Sequence, residues 1–360
     1  MNKKYFSFLV VLVSLIPAQV RSSAMPESYV GHSVSNANAF GGAIYNDQSH
    51  TIDTISGKFE QNTVSANESA YGGAIYNLGT LTTISGNFTQ NIASATGTYA
   101  AGGAIYNGGE IGEILNSSFS ENSATGTYAF GGAIYNAQSH TIDTISGKFE
   151  RNTVSADEYA YGGAIYNDGN IKEIVNTSFS KNLAKGTYAL GGAIYNGSEP
   201  ITILNSSFLN NTVSGTDKAK GGAIFSESSL NIVADNGMST FSGNTANGES
   251  NAVYMRGGKT IDLNLTAQNS GTITFDDAID GQNYNVNIKT DDTSYVALNS
   301  ALSGASTLSL DQGSRLLLGT DAKLSVTGMT PIRARRFLLI LKLMPKIRQP
   351  RPVLSRFRAS

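Results

Sequence analysis

"GGAIYN" at residues 41–46 returns unchanged at 72–77, 102–107, 131–136, 162–167 and 191–196, and once more as "GGAIFS" at 221–226. The Gly-Gly starts are 31, 30, 29, 31, 29 and 30 residues apart, and "NAVYM" at 251–255 is a worn eighth copy. Self-similarity at such a period marks a stacked repeat architecture and takes precedence over any local reading. A second motif, Phe-x-x-Asn, lies inside each unit. It pairs Phe59 with Asn62, Phe88 with Asn91, Phe119 with Asn122, Phe149 with Asn152, Phe179 with Asn182, Phe208 with Asn211, and Phe241 with Asn244. The two residues between Phe and Asn drift, which implies solvent there and a fixed environment for the motif's ends. A third element, Ile52/Ile55 and its equivalents Leu81/Ile84, Ile111/Ile114, Ile142/Ile145, Ile171/Ile174 and Ile201/Ile203, lies between the other two.

Each unit thus offers three short β-type segments bounded by Gly, Asn, Ser and Thr. No segment sustains a helical period, which sets aside helical repeats of similar length. The expectation is an all-β, single-stranded right-handed parallel β-helix, a solenoid with coils of about thirty residues. Coils then lie ~4.8 Å apart and equivalent residues stack. Ile44, Ile75, Ile105, Ile134, Ile165 and Ile194 would form an inner aliphatic column, the motif phenylalanines an aromatic one, and the asparagines amide ladders. Alternation along the strand turns Gly42, Ile44 and Asn46 inward and Ala43 and Tyr45 outward. Tyr45, Tyr76, Tyr106, Tyr135, Tyr166 and Tyr195 then make an outer stripe. The Gly pair supplies positive φ or a close backbone approach at the corner entering the strand.

Residues 41–66 and 131–156 differ only at Asp47/Ala137 and Gln61/Arg151, which suggests recent duplication of a three-coil block. The more divergent copies are therefore the better witnesses, and in them GGAI and FxxN persist. The segmentation expected is a signal peptide at 1–24, an N-terminal cap at 25–40, the GGAI/FxxN β-helix at 41–260, plainer and less regular coils at 261–330, and a basic, non-repeat tail at 331–360. Lys3 and Lys4 precede an apolar run, Phe6–Ile16, and Ser22 and Ala24 fit a cleavage site; the run is too short to span a bilayer.

Cysteine is absent, which removes disulfides, thiolate metal sites and cysteine nucleophiles. The net charge of −2 hides an asymmetry: nine basic and no acidic residues fall in 332–360, leaving 16 basic against 27 acidic elsewhere. That acidic body is a poor match for nucleic acid. The tail shares nothing with the body, and reads as a frameshifted or truncated end or as a basic segment for an anionic membrane surface.

GGA[I/L/V] paired with FxxN, repeated behind a leader, resembles the polymorphic outer membrane proteins of chlamydiae and related autotransporter-like proteins. The resemblance covers residues 40–255. It implies an exported passenger domain at the cell surface or outer membrane of a Gram-negative bacterium, or outside the cell. It also implies adhesion or surface display, with a host or neighbouring-cell protein or glycan as partner. Such proteins end in a membrane β-barrel, and this chain shows no barrel pattern.

Three functional readings follow: a non-enzymatic adhesin, a polysaccharide-active β-helix enzyme, or a truncated autotransporter fragment without independent function. An enzyme needs converging carboxylates or a metal. The columns Thr54, Thr83, Glu113, Thr144, Glu173 and Asp53, Thr82, Gly112, Asp143, Lys172 do not align acids. His50 and His140 are three coils apart, ~14 Å by stacking, too far to share a metal. The Gly-Gly pairs do not follow nucleotide-loop spacing. No catalytic, cofactor or metal residue is assigned. "NSS" at 116–118 and 205–207 and "NTS" at 176–178 read as turns. The tyrosine stripe is the one candidate ligand surface, against the alternative that it packs coil on coil.

Overall fold

The computed structural model describes residues 28–329 and the strand segments Val11–Leu12 and Ile340–Leu341. The predicted leader and basic tail otherwise lie outside the described residues. The chain is an all-β solenoid of about 8 turns in which parallel strands stack about 30 residues apart. Each coil up to Val253 has three faces: the first is the GGAIYN strand, the second carries the isoleucine pair and FxxN, and the third is a separate sheet.

The first face is the GGAIYN strand. Ile44 pairs with Ile75, and the register continues through Ile105, Ile134, Ile165, Ile194 and Ile224 to Val253. All are fully buried. The two glycines divide the work at the corner. Gly72 and its equivalents hold positive φ, 65° at Gly72, where a side chain is strained. A Cβ on Gly73 would meet the Gly103 carbonyl oxygen at 2.1 Å, so the second position is fixed by close approach of the next coil. Ala43, expected outward by alternation, is fully buried, as are Ala74, Ala104 and Ala133. The reason is local: the Ala43 and Ile44 amides both donate to the Ala74 carbonyl, at 2.8 and 3.0 Å. Two successive amides aimed at one acceptor place Ala43 in the corner, and the strand begins only at Ile44.

The second face runs through the isoleucine pairs to FxxN, as in Thr51–Glu60 on Thr80–Thr89. From Tyr29 through Phe59, Phe88, Phe119, Phe149, Phe179, Phe208 and Phe241 to Phe275, successive rings stack at centroid distances of 4.4–4.9 Å, within 12° of parallel. The residue before each motif Asn turns the corner in the left-handed region, from Gln61 (φ 56°) to Asn210 (φ 57°), with glycine at Gly243. Asn116, Asn176 and Asn205 of the "NSS" and "NTS" stretches also hold positive φ, 48–49°. They are turn residues, as Asn tolerates this conformation.

Two amide ladders line the corners. Asn62 Nδ2 donates to Asn91 Oδ1 at 2.9 Å, and the relay repeats through Asn122, Asn152, Asn182 and Asn211 to Asn244. Asn244 ends on the buried carboxylate of Asp277, which also accepts from two backbone amides. The second ladder runs Asn46, Asn77, Asn107, Asn136, Asn167, Asn196 and finishes on Ser226 Oγ. Every link in both ladders donates toward the C-terminus.

The third face is a separate ten-stranded sheet. Its inner side is a column of small residues, Ala39, Ala70, Ala100, Ala129, Ala160 and Ala189. The solenoid starts with part of a coil: Ser28–Val30 lies on Lys58–Glu60, and Ser33–Phe40 on Thr63–Tyr71. "YVGH" at 29–32 is a worn FxxN, with Tyr29 stacked on Phe59 and the His32 amide donating to Asn62 Oδ1. Val11–Leu12 pairs with Ile44 and Tyr45 on the first face. After Val253 the coils shorten: Val253 pairs with Ile279, Ile279 with Leu302 and Leu302 with Leu324, steps of 26, 23 and 22 residues. The third face is what they have lost. Its last long strand is Thr212–Lys220, and the next coil adds only Thr245–Ala246 before turning back as Glu249–Ser250.

Candidate functional site

The first-face tyrosines form an outer column with ring centroids 4.9–5.5 Å apart, from Tyr45 through Tyr76, Tyr106, Tyr135, Tyr166, Tyr195 and Phe225 to Tyr254. It does not stand in open solvent. Five members are half-buried, and Tyr195, Phe225 and Tyr254 are buried. A second column covers it, built from the residue just before each Gly pair: Phe40, Tyr71, Ala101, Phe130, Tyr161, Leu190 and Lys220. Each large ring there packs on the first-column ring one coil further along. Phe40 meets Tyr76 at 4.9 Å, Tyr71 meets Tyr106 at 5.1 Å, Phe130 meets Tyr166 at 5.0 Å and Tyr161 meets Tyr195 at 5.0 Å.

A third column stands beside it, two residues earlier on the same outward side of the third face. Tyr99, Tyr128, Tyr159 and Tyr188 stack at 5.2–5.4 Å and are continued by Lys218. Tyr99 is 42% exposed, the most open ring of the band. Sequence reasoning on GGAIYN misses this column. Its signal is "GTYA" at 97–100, 126–129 and 186–189 and "DEYA" at 157–160. The three columns make one continuous aromatic band along the solenoid.

Two properties define what this band can do. Its buried phenols hold their protons: burial is the leading cause that raises Tyr161 to about 12 and lifts Tyr76, Tyr106, Tyr135, Tyr166 and Tyr195 as well, with neighbouring phenols adding to the rise in these five. Tyr195 donates to Glu227 Oε1 at 2.9 Å. And because rings in a column face one another, their faces are occupied. The band shows ring edges and hydroxyls, which suit shape-complementary polar and edge contacts, and offers few free faces on which a sugar ring could lie.

The predicted ladder residues are brought together as columns inside the solenoid. Among the described residues no group of three or more His, Asp and Glu converges to hold a metal. In the less regular coils Asp262, Asp276, Asp277, Asp280 and Asp291 each accept hydrogen bonds that tie coil to coil. The neighbouring Ser294 hydroxyl, with hydrogen bonds from the Asn269 amide and the Thr293 amide and hydroxyl, holds the Asp291 carboxyl well below the usual carboxylate range. His140 Nδ1 lies 4.0 Å from Glu110 Oε1 on an open face, with no nucleophile between them.

Two stretches, residues 116–137 and 205–227, match the Chlamydia polymorphic membrane protein repeat. Each begins at the left-handed Asn, passes through FxxN and the third face, and ends in the next GGAI strand. The matched unit therefore contains one position from each column: Tyr128, Phe130 and Tyr135 in the first stretch, Lys218, Lys220 and Phe225 in the second. No curated protein and no solved structure matches the chain. The chain carries repeats of the Chlamydia polymorphic membrane protein type, and these together with the β-solenoid fit a passenger-like surface protein.

Proposed function

We propose that this chain is an exported surface protein that adheres to a protein on a host or neighbouring cell, and that its tyrosine band is the contact surface. The observation that supports this is the third column, Tyr99, Tyr128, Tyr159 and Tyr188. These rings are pre-ordered by stacking, lie beside two further columns, and are exposed at Tyr99 and half-buried at Tyr128, Tyr159 and Tyr188. Tyrosine gives large contact area at low entropic cost, and fixed rings lose less freedom on binding. A protein partner fits better than a glycan because the ring faces are taken. No chemistry is assigned to the band.

The test replaces Tyr99, Tyr128, Tyr159 and Tyr188 with Ser in the full chain and measures binding to cultured cells by flow cytometry. The expected result is at least about a tenfold loss of binding. Thermal unfolding should remain a single cooperative transition, since the column lies outside the core. Protease treatment of the cells should abolish wild-type binding, and glycosidase treatment should not. Unchanged binding by the quadruple variant removes the band from adhesion, and turnover of a polysaccharide by the purified chain replaces the reading altogether.

A further inference from the structure

The third-face sheet stops in mid-coil. Leu183–Leu190 has a partner strand on both sides, Thr153–Tyr161 and Thr212–Lys220. Thr212–Lys220 is paired on its far side only at Thr212 and Val213. Asn247 then closes Gly215 with its side chain: the Gly215 amide donates to Asn247 Oδ1 at 2.9 Å, and Asn247 Nδ2 donates to the Gly215 carbonyl at 2.8 Å. Past that clip, no strand among the described residues pairs with the far side of residues 216–220. Burial registers the gap. Ala70, Ala100, Ala129, Ala160 and Ala189 are fully covered, whereas Ala219, next in the same column, is only partly buried.

The outward side of this edge is cationic. Lys218 follows Tyr188 in the third column, and Lys220 follows Leu190 in the second. Lys220 Nζ pairs with Asp280 Oδ2 at 3.2 Å and lies 4.8 Å from the Tyr254 ring centre. Arg256 pairs with Glu227 Oε1 at 2.8 Å, on the oxygen that also accepts from Tyr195. Lys218 Nζ stands 5.9 Å from the Phe225 ring centre and has no ion-pair partner among the described residues. Burial first, then nearby Arg256, lowers its proton affinity, so an added anion would relieve it. Asp217 falls in the register shift between Gly215 and Lys218 and is exposed, an acidic neighbour at the start of the lysine pair.

An open strand edge presents unpaired backbone groups, and lysines beside it discourage neutral or basic strands. The same lysines favour a strand that brings carboxylates. The chain's own residues 332–360, with nine basic and no acidic side chains, have the wrong sign. A second solenoid cannot abut this edge end-on, because the long sheet continues past it through Ile279, Leu302 and Leu324. We propose that the edge at Thr216–Lys220 is a docking site for an extended acidic peptide segment, which adds as one more parallel strand and sets carboxylates beside Lys218 and Lys220. This stands whether or not the tyrosine band binds cells.

The probe is a fluorescein-labelled peptide of alternating Glu and Val, with an alternating Lys and Val peptide as control, titrated against the full chain by fluorescence anisotropy. The Glu peptide should bind and the Lys peptide should not. Lys218→Glu with Lys220→Glu should weaken binding about tenfold or more, and Ala219→Pro, which removes an edge amide, should do the same. Hydrogen exchange of the wild-type chain gives a readout that needs no variant: the Glu peptide should slow exchange within 216–220. Absent binding, binding indifferent to Ala219→Pro, binding indifferent to charge reversal, or unchanged exchange at 216–220 each overturns the proposal.

Discussion

At the scale of the residue, the side chain that most constrains this molecule is an asparagine. Asn152 Oδ1 accepts from the backbone and side-chain amides of Asn122, while its own Nδ2 donates to Asn182 and to the Phe119 carbonyl. One buried amide thus links three coils. Asn152→Ala would leave two buried donors without an acceptor, each costing about 1–3 kcal/mol. The expected loss is about 3 kcal/mol or more, read as a lower urea midpoint. A variant within about 0.5 kcal/mol of wild type would mean that water replaces the missing amide. The inner residues were legible in the sequence because each occupies one environment repeated coil after coil, so Phe, Ile and Asn persist while their neighbours drift. Ala43 was misplaced because alternation applies only inside a strand, and its amide shares an acceptor with that of Ile44.

At the scale of the element, the first tyrosine column serves the fold as well as the surface. Its rings touch their own column and the covering column one coil back, so each coil is locked to the next from outside. Replacing Tyr106, Tyr135 and Tyr166 with Ser should cost at least about 3 kcal/mol, taking about 1 kcal/mol for each lost ring contact. Substituting the third column, whose rings make fewer ring contacts, should lower the thermal midpoint by less. The two variants differ in folding before they differ in binding, and equal thermal midpoints would show that the columns are energetically alike. The sequence disclosed the first column because it rides on an invariant hexapeptide. It hid the third because Tyr gives way to Asn38, Ser69 and Lys218 at the ends of the array. The covering role of Phe40, Tyr71, Phe130 and Tyr161 depends on a one-coil offset that spacing alone does not reveal.

At the scale of the whole molecule, the phenols make stability depend on alkali. Tyr29 and Tyr161 are raised by burial from 10.0 to about 12. Below pH 10 folded and unfolded chains both keep these protons, and the contribution is complete. Above it the unfolded chain ionises first, so stability falls as pH rises from 10 through about 12. Far-UV circular dichroism should be lost together with the late part of the phenolate absorbance rise. Phenols that all titrate near 10 with the fold intact would contradict the packing described. The solenoid, its period and its three faces were legible from the repeats. The loss of the third face was not, because the apolar alternation after residue 260 looks the same in a coil of two faces as in one of three.

That loss gives the molecule a mechanical gradient. A rod resists bending through the material it holds far from its axis. The coils of about 30 residues hold three faces, an external aromatic band and two amide ladders; those near the C-terminal end close in 22 or 23 residues. The tyrosine-bearing length is therefore the stiff part, and the slimmer stretch after Val253 is the compliant one. Under lateral force the molecule bends at the neck where the third face ends, and the band travels as one straight piece.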